Sequence, residues 1–160
     1  MSARSQKYIF IVDDNEIYSM MLDYILSKNS TYKFISFNSG ETCIKNLYLN
    51  PEIVILDYEM PGLNGYDTLV EIKKQNPHIH IMILTRLEDE NLKQKLLLAG
   101  ADDYILKQGN GEKHVIDKIE DILSREEYES TNAWGMKNGS LYLILIVTLA
   151  ILIAFYCKMK

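Results

Sequence analysis

Five short apolar runs alternate with stretches of helical periodicity, and this alternation constrains the fold of the 160-residue chain more than any other feature. The runs, each predicted to be a buried strand, are residues 8–12, 32–37, 53–56, 79–84 and 104–106. Strands that alternate with helices form βαβ crossovers, which bury a parallel sheet under helices on both faces. The sequence therefore predicts an α/β domain with a doubly wound, five-stranded parallel sheet.

The first helical stretch carries the clearest apolar face. Its apolar side chains recur at helical spacing, and they are Ile17, Met20, Met21, Tyr24 and Ile25. The face that contains both methionines is therefore predicted to pack in the core.

Polar side chains follow four of the five predicted strands. Asp13 and Asp14 follow the first strand, Asp57 the third, Thr85 the fourth and Lys107 the fifth. One Asp at a strand end more often caps the next helix, but the carboxyl ends of parallel strands meet at one edge, where open α/β sheets bind ligands. Three carboxylates together require a divalent cation or a shifted pKa, and their oxygens suit Mg²⁺. An Asp beside Mg²⁺, a hydroxyl and an ammonium can act as a nucleophile that accepts phosphate.

Four sequence stretches carry a family resemblance. They are IFIVDDN at 9–15, IVILDYEMPGLNGYD at 53–67, IMILTR at 81–86 and GADDYILKQ at 100–108. With these stretches the chain resembles the receiver domain of two-component response regulators, from residue 7 to about residue 124. The resemblance implies a flavodoxin-like sheet with the strand order 2-1-3-4-5.

The resemblance also implies a role for each residue at the strand ends. Asp57 would be the phosphoacceptor, and Mg²⁺ would be held by Asp13, Asp14, Asp57 and the backbone carbonyl of Glu59. Thr85 and Lys107 would contact the phosphoryl group. In this family the Thr85 hydroxyl and a strand aromatic, here Tyr104, form a switch that shifts between two orientations on phosphorylation.

The implied donor is a histidine kinase or a histidine phosphotransfer protein. The chain would then catalyse only its own phosphorylation and dephosphorylation, and it would not be an enzyme that acts on other substrates. No DNA-binding, cyclase or kinase segment is expected after the receiver, so output would come from partner binding, from a membrane anchor or from use as a phosphate sink.

Two departures from the family pattern keep a second hypothesis open. Gln108 replaces the usual proline after Lys107, and a cis bond before Gln is strongly disfavoured. Arg86 replaces the usual small residue after Thr85. The alternative is a receiver-like interaction module at the membrane that never uses its aspartate. A third hypothesis, a phosphatase or flavin protein on the same fold, has only Glu59, two residues beyond Asp57, in its favour.

The C-terminal part of the sequence is distinct in composition. Residues 141–157 read LYLILIVTLAILIAFYC and contain no charge, glycine or proline. As a helix they would span roughly 25 Å, the short end of the transmembrane range. The sequence predicts a receiver domain at 1–124, a polar linker at 125–140 and a single transmembrane helix at 141–157. A buried core helix is the alternative for the last segment.

The anchor predicts the location of the protein, and the charge predicts its partners. Phosphohistidine donors of this family are cytoplasmic, so the receiver should lie on the cytoplasmic side of the cell membrane. The net charge of −5 disfavours a nucleic-acid partner. Mixed charge on the face formed by the fourth helix, fifth strand and fifth helix is compatible with a homodimer.

Overall fold

A computed structural model describes residues 6–28 and 32–125 of the chain. Contacts between residues divide the chain into two compact units, residues 1–116 and residues 117–160. The first unit contains the whole sheet. Of the second unit, residues 117–125 are described, and they are helical.

The first unit is built on five parallel strands. They are β1 (Tyr8–Val12), β2 (Lys33–Phe37), β3 (Ile53–Asp57), β4 (His80–Thr85) and β5 (Asp103–Leu106). The order across the sheet is β2-β1-β3-β4-β5, and every neighbouring pair is parallel. The predicted flavodoxin-like order 2-1-3-4-5 is therefore confirmed.

Helices connect the strands in the predicted alternation. They are α1 (Glu16–Ser27), α2 (Gly40–Lys45), a 3-10 turn (Leu47–Leu49), α3 (Gly65–Gln75), α4 (Glu90–Leu98) and α5, which begins at residue 111 and continues to residue 125, where the described range ends. Four of these helices begin at a polar side chain that accepts a hydrogen bond from a first-turn N–H. The capping residues are Asn15, Ser39, Asn64 and Asp89.

The core lies on both faces of the central strands. All five residues of β3 are buried, and so are the last four of β1 and the last five of β4. Phe10 of β1 packs edge-to-face on Phe37 of β2, with the ring centroids 4.8 Å apart. A strand that is covered on both faces can end in a polar group only at its edge, so the buried run of β3 delivers Asp57 to the carboxyl edge of the sheet.

The predicted core face of α1 is wrong. Ile17 is 81% exposed and Met20 72%, whereas Leu22 and Leu26 are buried against the rest of the protein. Apolar residues lie on two sides of α1, so helical spacing alone fits either side as the core face. The side that is buried carries Leu22 and Leu26 together with the small Ser19.

The predicted membrane segment cannot be compared with the structure. Within residues 6–28 and 32–125, no helix is both long and apolar enough to cross a membrane. Residue 125 is helical rather than part of a loop. The rest of the predicted linker, 126–140, and the predicted transmembrane helix, 141–157, lie outside the described residues.

The close approach of α3 to the end of β3 gives a first prediction. A Cβ at Gly65 would lie 2.5 Å from the Asp57 carbonyl oxygen and 2.6 Å from the Tyr58 Cα, both rigid backbone atoms. We expect Gly65→Ala to lower the free energy of unfolding by about 1–3 kcal/mol, as overpacking does. Urea denaturation would measure the change.

Gly109→Ala is the matched control for this substitution. Gly109 has a φ of 66° but no neighbour within 4 Å of an added Cβ, so only backbone strain of about 1 kcal/mol is expected. A Gly65→Ala protein as stable as the wild type would contradict the prediction.

Candidate functional site

The sheet brings the predicted polar residues to one edge. Asp13 and Asp14 follow β1 directly, Asp57 and Thr85 are the last residues of β3 and β4, and Lys107 follows β5. Asp13, Asp57 and Thr85 are buried, and Asp14 is exposed to solvent. The arrangement is a largely buried acidic cluster with one side chain open to water.

The Lys107 ammonium joins two of the strand ends. Its Nζ lies 2.6 Å from Asp13 Oδ2 and 2.9 Å from Asp57 Oδ2. The Lys107 side chain is only 7% exposed, and those of Asp13 and Asp57 are 3% and 2% exposed. Removal of Lys107 would leave two buried carboxylates without their cation, so the burial of both depends on this one ammonium.

Burial and charge act on Asp57 in opposite directions. Burial raises the pKa of the Asp57 carboxyl above its ordinary value, while the hydrogen bond and charge of Lys107 lower it and the nearby Asp13 raises it. The backbone N–H of Glu59 donates to Asp57 Oδ1 over 3.3 Å and also favours the ionised form. The net pKa is raised, so the carboxylate is less well solvated than a surface aspartate.

The three carboxylates can hold a divalent cation. Asp13, Asp14 and Asp57 each offer an oxygen, and these oxygens lie within 4.8 Å of one another. The three carboxylates carry three negative charges and Lys107 carries one positive charge. The excess negative charge favours a hard divalent cation, the kind that binds oxygen ligands. The residues therefore fit Mg²⁺. The carbonyl of Glu59 as a further ligand remains a prediction.

The predicted switch residues meet at Leu87, in the loop after β4. Thr85 Oγ1 accepts a hydrogen bond from the Leu87 N–H over 3.1 Å, and the half-buried Tyr104 donates its hydroxyl hydrogen to the Leu87 carbonyl. The two side chains are thus joined through one residue's backbone. Nothing in the sequence indicates this link, because backbone donors and acceptors are alike at every position.

The two unusual positions contact each other across the same edge. The Gln108 side-chain amide donates to the Arg86 carbonyl over 3.1 Å, beside a backbone hydrogen bond from the Lys107 N–H to the Thr85 carbonyl. Among the described residues no peptide bond is cis, so the bond before Gln108 is trans, as its sequence predicts. Gln108 therefore ties the loop after β5 to the loop after β4.

Sequence reasoning missed one residue of the site, Tyr18. Its ring lies beside Lys107, with the Nζ 4.7 Å from the ring centroid, and its hydroxyl lies 3.5 Å from Glu112 Oε1. Burial and the negative charge of Glu112 raise the pKa of the Tyr18 hydroxyl. The only available signal is its place on the first turns of α1, directly after the acidic pair.

The described residues therefore form a doubly wound α/β domain with a buried aspartate, a lysine and two further carboxylates at the carboxyl edge of its sheet. The model of the response regulator receiver domain family matches residues 9–131. The chain belongs to this family, the receivers of two-component signalling systems. Its members bind Mg²⁺ at an acidic pocket and interact with histidine kinases or phosphotransfer proteins.

Individual relatives agree with this assignment. The alkaline phosphatase synthesis transcriptional regulatory protein PhoP of Bacillus subtilis is 32% identical over 84% of this chain and 55% of its own length. The chemotaxis protein CheY of Thermotoga maritima is 34% identical over 63% of this chain and 85% of its own. The solved structure of the BeF3-activated DrrB receiver domain of Thermotoga maritima has a TM-score of 0.64 and 27% identity, over 74% of this chain and 98% of that one.

These matches cover different shares of the relatives' own lengths. The chain spans little more than half the length of PhoP and 85% of the length of CheY. The similarity therefore concerns the receiver domain.

The acidic cluster predicts a stabilising effect of Mg²⁺. An ion that binds only the folded state raises the free energy of unfolding, by about 2.7 kcal/mol at a hundredfold excess over its Kd. We expect Asp14→Asn to raise the Kd for Mg²⁺ by about tenfold or more, because an anionic ligand is lost. Urea denaturation at a series of Mg²⁺ concentrations would measure both effects.

Glu59→Gln is the control for Asp14→Asn. Both side chains are exposed, but the predicted ligand at position 59 is the backbone carbonyl, which the substitution retains. The Mg²⁺ affinity of Glu59→Gln should equal that of the wild type. Equal affinities for all three proteins would show that Asp14 is not a ligand.

The raised pKa of Asp57 predicts a pH dependence of stability without Mg²⁺. The folded state holds the Asp57 proton more tightly than the unfolded chain, so this residue's contribution to stability falls as the pH rises through the raised pKa. Asp57→Asn removes this effect and leaves Lys107 paired with Asp13. The variant should have a higher urea midpoint than the wild type near pH 7, and the gap should close at acidic pH.

The exposed Asp67 supplies the comparison for that experiment. Asp67→Asn should change the urea midpoint by a small and nearly pH-independent amount. A stability gap between Asp57→Asn and the wild type that stayed constant across the pH series would contradict the assignment of the shift to Asp57.

Proposed function

We propose that the chain is a phosphoacceptor receiver of a two-component phosphorelay, in which Asp57 accepts a phosphoryl group from a phosphohistidine. The donor is a histidine kinase or a histidine phosphotransfer protein. The observation that carries the proposal is the buried Asp57 carboxylate, which lies 2.9 Å from the Lys107 ammonium at the open edge of the sheet. Asp13 and Asp14 are the two further carboxylates of the cluster, and with Asp57 they can hold the divalent cation that phosphoryl transfer uses.

In the transfer step, an Asp57 carboxylate oxygen attacks the phosphorus atom of the phosphohistidine. The new bond is P–O, the P–N bond breaks, and the imidazole leaves with the electron pair of that bond and takes a proton from solvent. Asp13, Asp14 and Asp57 would hold Mg²⁺, which would supply positive charge to the phosphoryl oxygens. The Lys107 ammonium is already beside the Asp57 oxygen and offsets the remaining negative charge.

The phosphoryl group is lost from Asp57 by hydrolysis. A water oxygen attacks the phosphorus atom and releases a proton to solvent, the P–O bond to Asp57 breaks, and inorganic phosphate leaves while the carboxylate is restored. Glu59 and Leu87 flank the expected path of this water, two residues beyond Asp57 and Thr85 respectively. These two side chains therefore tune the lifetime of the phosphorylated state.

Phosphorylation is transmitted through the loop after β4. A phosphoryl group on Asp57 draws the Thr85 hydroxyl toward it, and the Leu87 N–H loses its present acceptor. Because the Leu87 carbonyl accepts from the Tyr104 hydroxyl, a shift of Leu87 changes the hydrogen bond that holds Tyr104. Tyr104 then changes its orientation, which is a population shift between two arrangements of the same surface.

The location is part of the same proposal. Residues 141–157 anchor the protein to the cell membrane with the receiver in the cytoplasm. The chain binds no nucleic acid, in keeping with its net charge of −5. A homodimer through α4, β5 and α5 is part of the proposal, because the mixed charge of that face suits pairing between two copies. The chain turns over no substrate besides its own phosphoryl group.

A specific observation keeps the interaction-module alternative in view. The exposed Arg86 side chain follows Thr85 directly, and the Gln108 amide fixes its backbone carbonyl. A long cationic side chain held there obstructs small donors more than a small residue would. In this alternative the receiver surface binds partners without any phosphoryl transfer.

Mass spectrometry of the intact 160-residue chain in mild detergent tests the proposal. We expect a gain of one phosphoryl group with Mg²⁺ and acetyl phosphate, or with phosphorylated histidine phosphotransfer proteins, and no gain for Asp57→Asn. Asp67→Asn is the control, because it removes an exposed carboxylate outside the site, keeps Asp57 and should retain the gain. If the wild type gains no phosphoryl group from any of these donors, the interaction module replaces the receiver function.

A further inference from the structure

We propose that Tyr18 is a positioning residue for phosphoryl transfer, whose aromatic ring holds the Lys107 ammonium in place beside Asp57. The inference rests on the proposed function of Asp57 as phosphoacceptor. Tyr18 touches neither the phosphoacceptor oxygen nor the acidic cluster in the described contacts, so its effect would act through Lys107.

The surroundings of the Lys107 ammonium carry the argument. An ammonium has three N–H donors, and two carboxylate oxygens, on Asp13 and Asp57, lie within 2.6 and 2.9 Å of it. The Tyr18 ring lies on a further side, with its centroid 4.7 Å from Nζ, within the range of a cation–π contact. Because the Lys107 side chain is 7% exposed, the ring occupies space that water would otherwise take.

The ring itself is held at both ends. The Tyr18 backbone N–H donates to the Asn15 side chain over 3.1 Å, which fixes the residue in the capped first turn of α1. At the far end, the Tyr18 hydroxyl lies 3.5 Å from Glu112 Oε1, in the first residues of α5. These two contacts fix the position of the Tyr18 ring beside the flexible Lys107 side chain.

The fixed position of the ring matters because the Lys107 side chain is flexible and Asp13 competes with Asp57 for its ammonium. Its Nζ is closer to Asp13 than to Asp57, so loss of the ring would free it to turn toward Asp13 or toward water. A lysine also loses much rotamer freedom when it is held in one position. Since the ring imposes this order before the donor arrives, its contribution is to the rate of the chemical step rather than to donor binding.

The test compares substitutions that keep or remove the ring. Tyr18→Phe keeps the ring without the hydroxyl, Tyr18→Trp supplies another aromatic face, and Tyr18→Leu removes the ring. Tyr24→Leu is the matched control, because Tyr24 lies on the same helix, is exposed, and has Lys28 Nζ 5.4 Å from its ring centroid away from the site. The full chain would be phosphorylated with acetyl phosphate at saturating Mg²⁺ and followed by intact mass.

We expect the maximal phosphorylation rate of Tyr18→Leu to fall about tenfold, the size of effect that a desolvated cation–π contact supplies. The acetyl phosphate concentration for half-maximal rate should stay unchanged. Tyr18→Phe and Tyr18→Trp should remain within about threefold of the wild type, since each retains an aromatic face, and Tyr24→Leu should equal it. A wild-type rate for Tyr18→Leu, or a Tyr18→Phe rate as low as that of Tyr18→Leu, would overturn the role of the ring.

A second measurement separates this proposal from the one on which it rests. The Lys107 side-chain protons lie near an aromatic ring, so their NMR resonances should be shifted by the ring current in the unphosphorylated wild type and in Tyr18→Phe, and should revert in Tyr18→Leu. Loss of that shift together with an unchanged rate overturns the proposal. If the wild type shows the shift but accepts no phosphoryl group, the phosphoacceptor function has failed although Tyr18 holds Lys107, and the positioning role falls with it.

Discussion

The ionic bridge from Lys107 to Asp13 and Asp57 is the interaction on which the site depends. It joins the ends of three strands, β1, β3 and β5, and all three of its side chains are buried. Moving these charges out of water is unfavourable, and well-packed apolar residues would stabilise a fold at least as well. The arrangement is therefore explained by chemistry at the sheet edge and not by stability, which the continuous apolar strands beneath it supply.

Much of the fold follows from local sequence patterns, because a buried parallel strand must be apolar throughout and a helix between two strands must begin with a cap. The order of the strands is different: it comes from the family resemblance, since alternation alone does not fix it. The inner face of α1 could not be derived either. Ile17 and Met20 fit helical spacing as well as Leu22 and Leu26 do, and only the position of the sheet decides between the two sides.

The site divides in the same way between predictable and unpredictable parts. Asp57, Thr85 and Lys107 could be located because a residue that follows a parallel strand must lie at the carboxyl edge of the sheet. The partners of these side chains could not. The N–H and carbonyl of Leu87 are backbone groups with no signature in the sequence, and the contact of the Tyr18 ring with Lys107 depends on how α1 packs against the sheet.

The acidic cluster has buried and exposed members, and this difference explains how the site can be rigid and still be accessible to a cation from solvent. Asp13 and Asp57 are both paired with the Lys107 ammonium, so each of these carboxylates has one defined position. Asp14 is exposed to solvent, although its carboxylate belongs to the same cluster. A divalent cation held here would be bound by one carboxylate that is open to solvent and two that are buried. Its positive charge would favour the ionised form of Asp57, whose pKa burial raises, so cation binding and ionisation of Asp57 would favour each other.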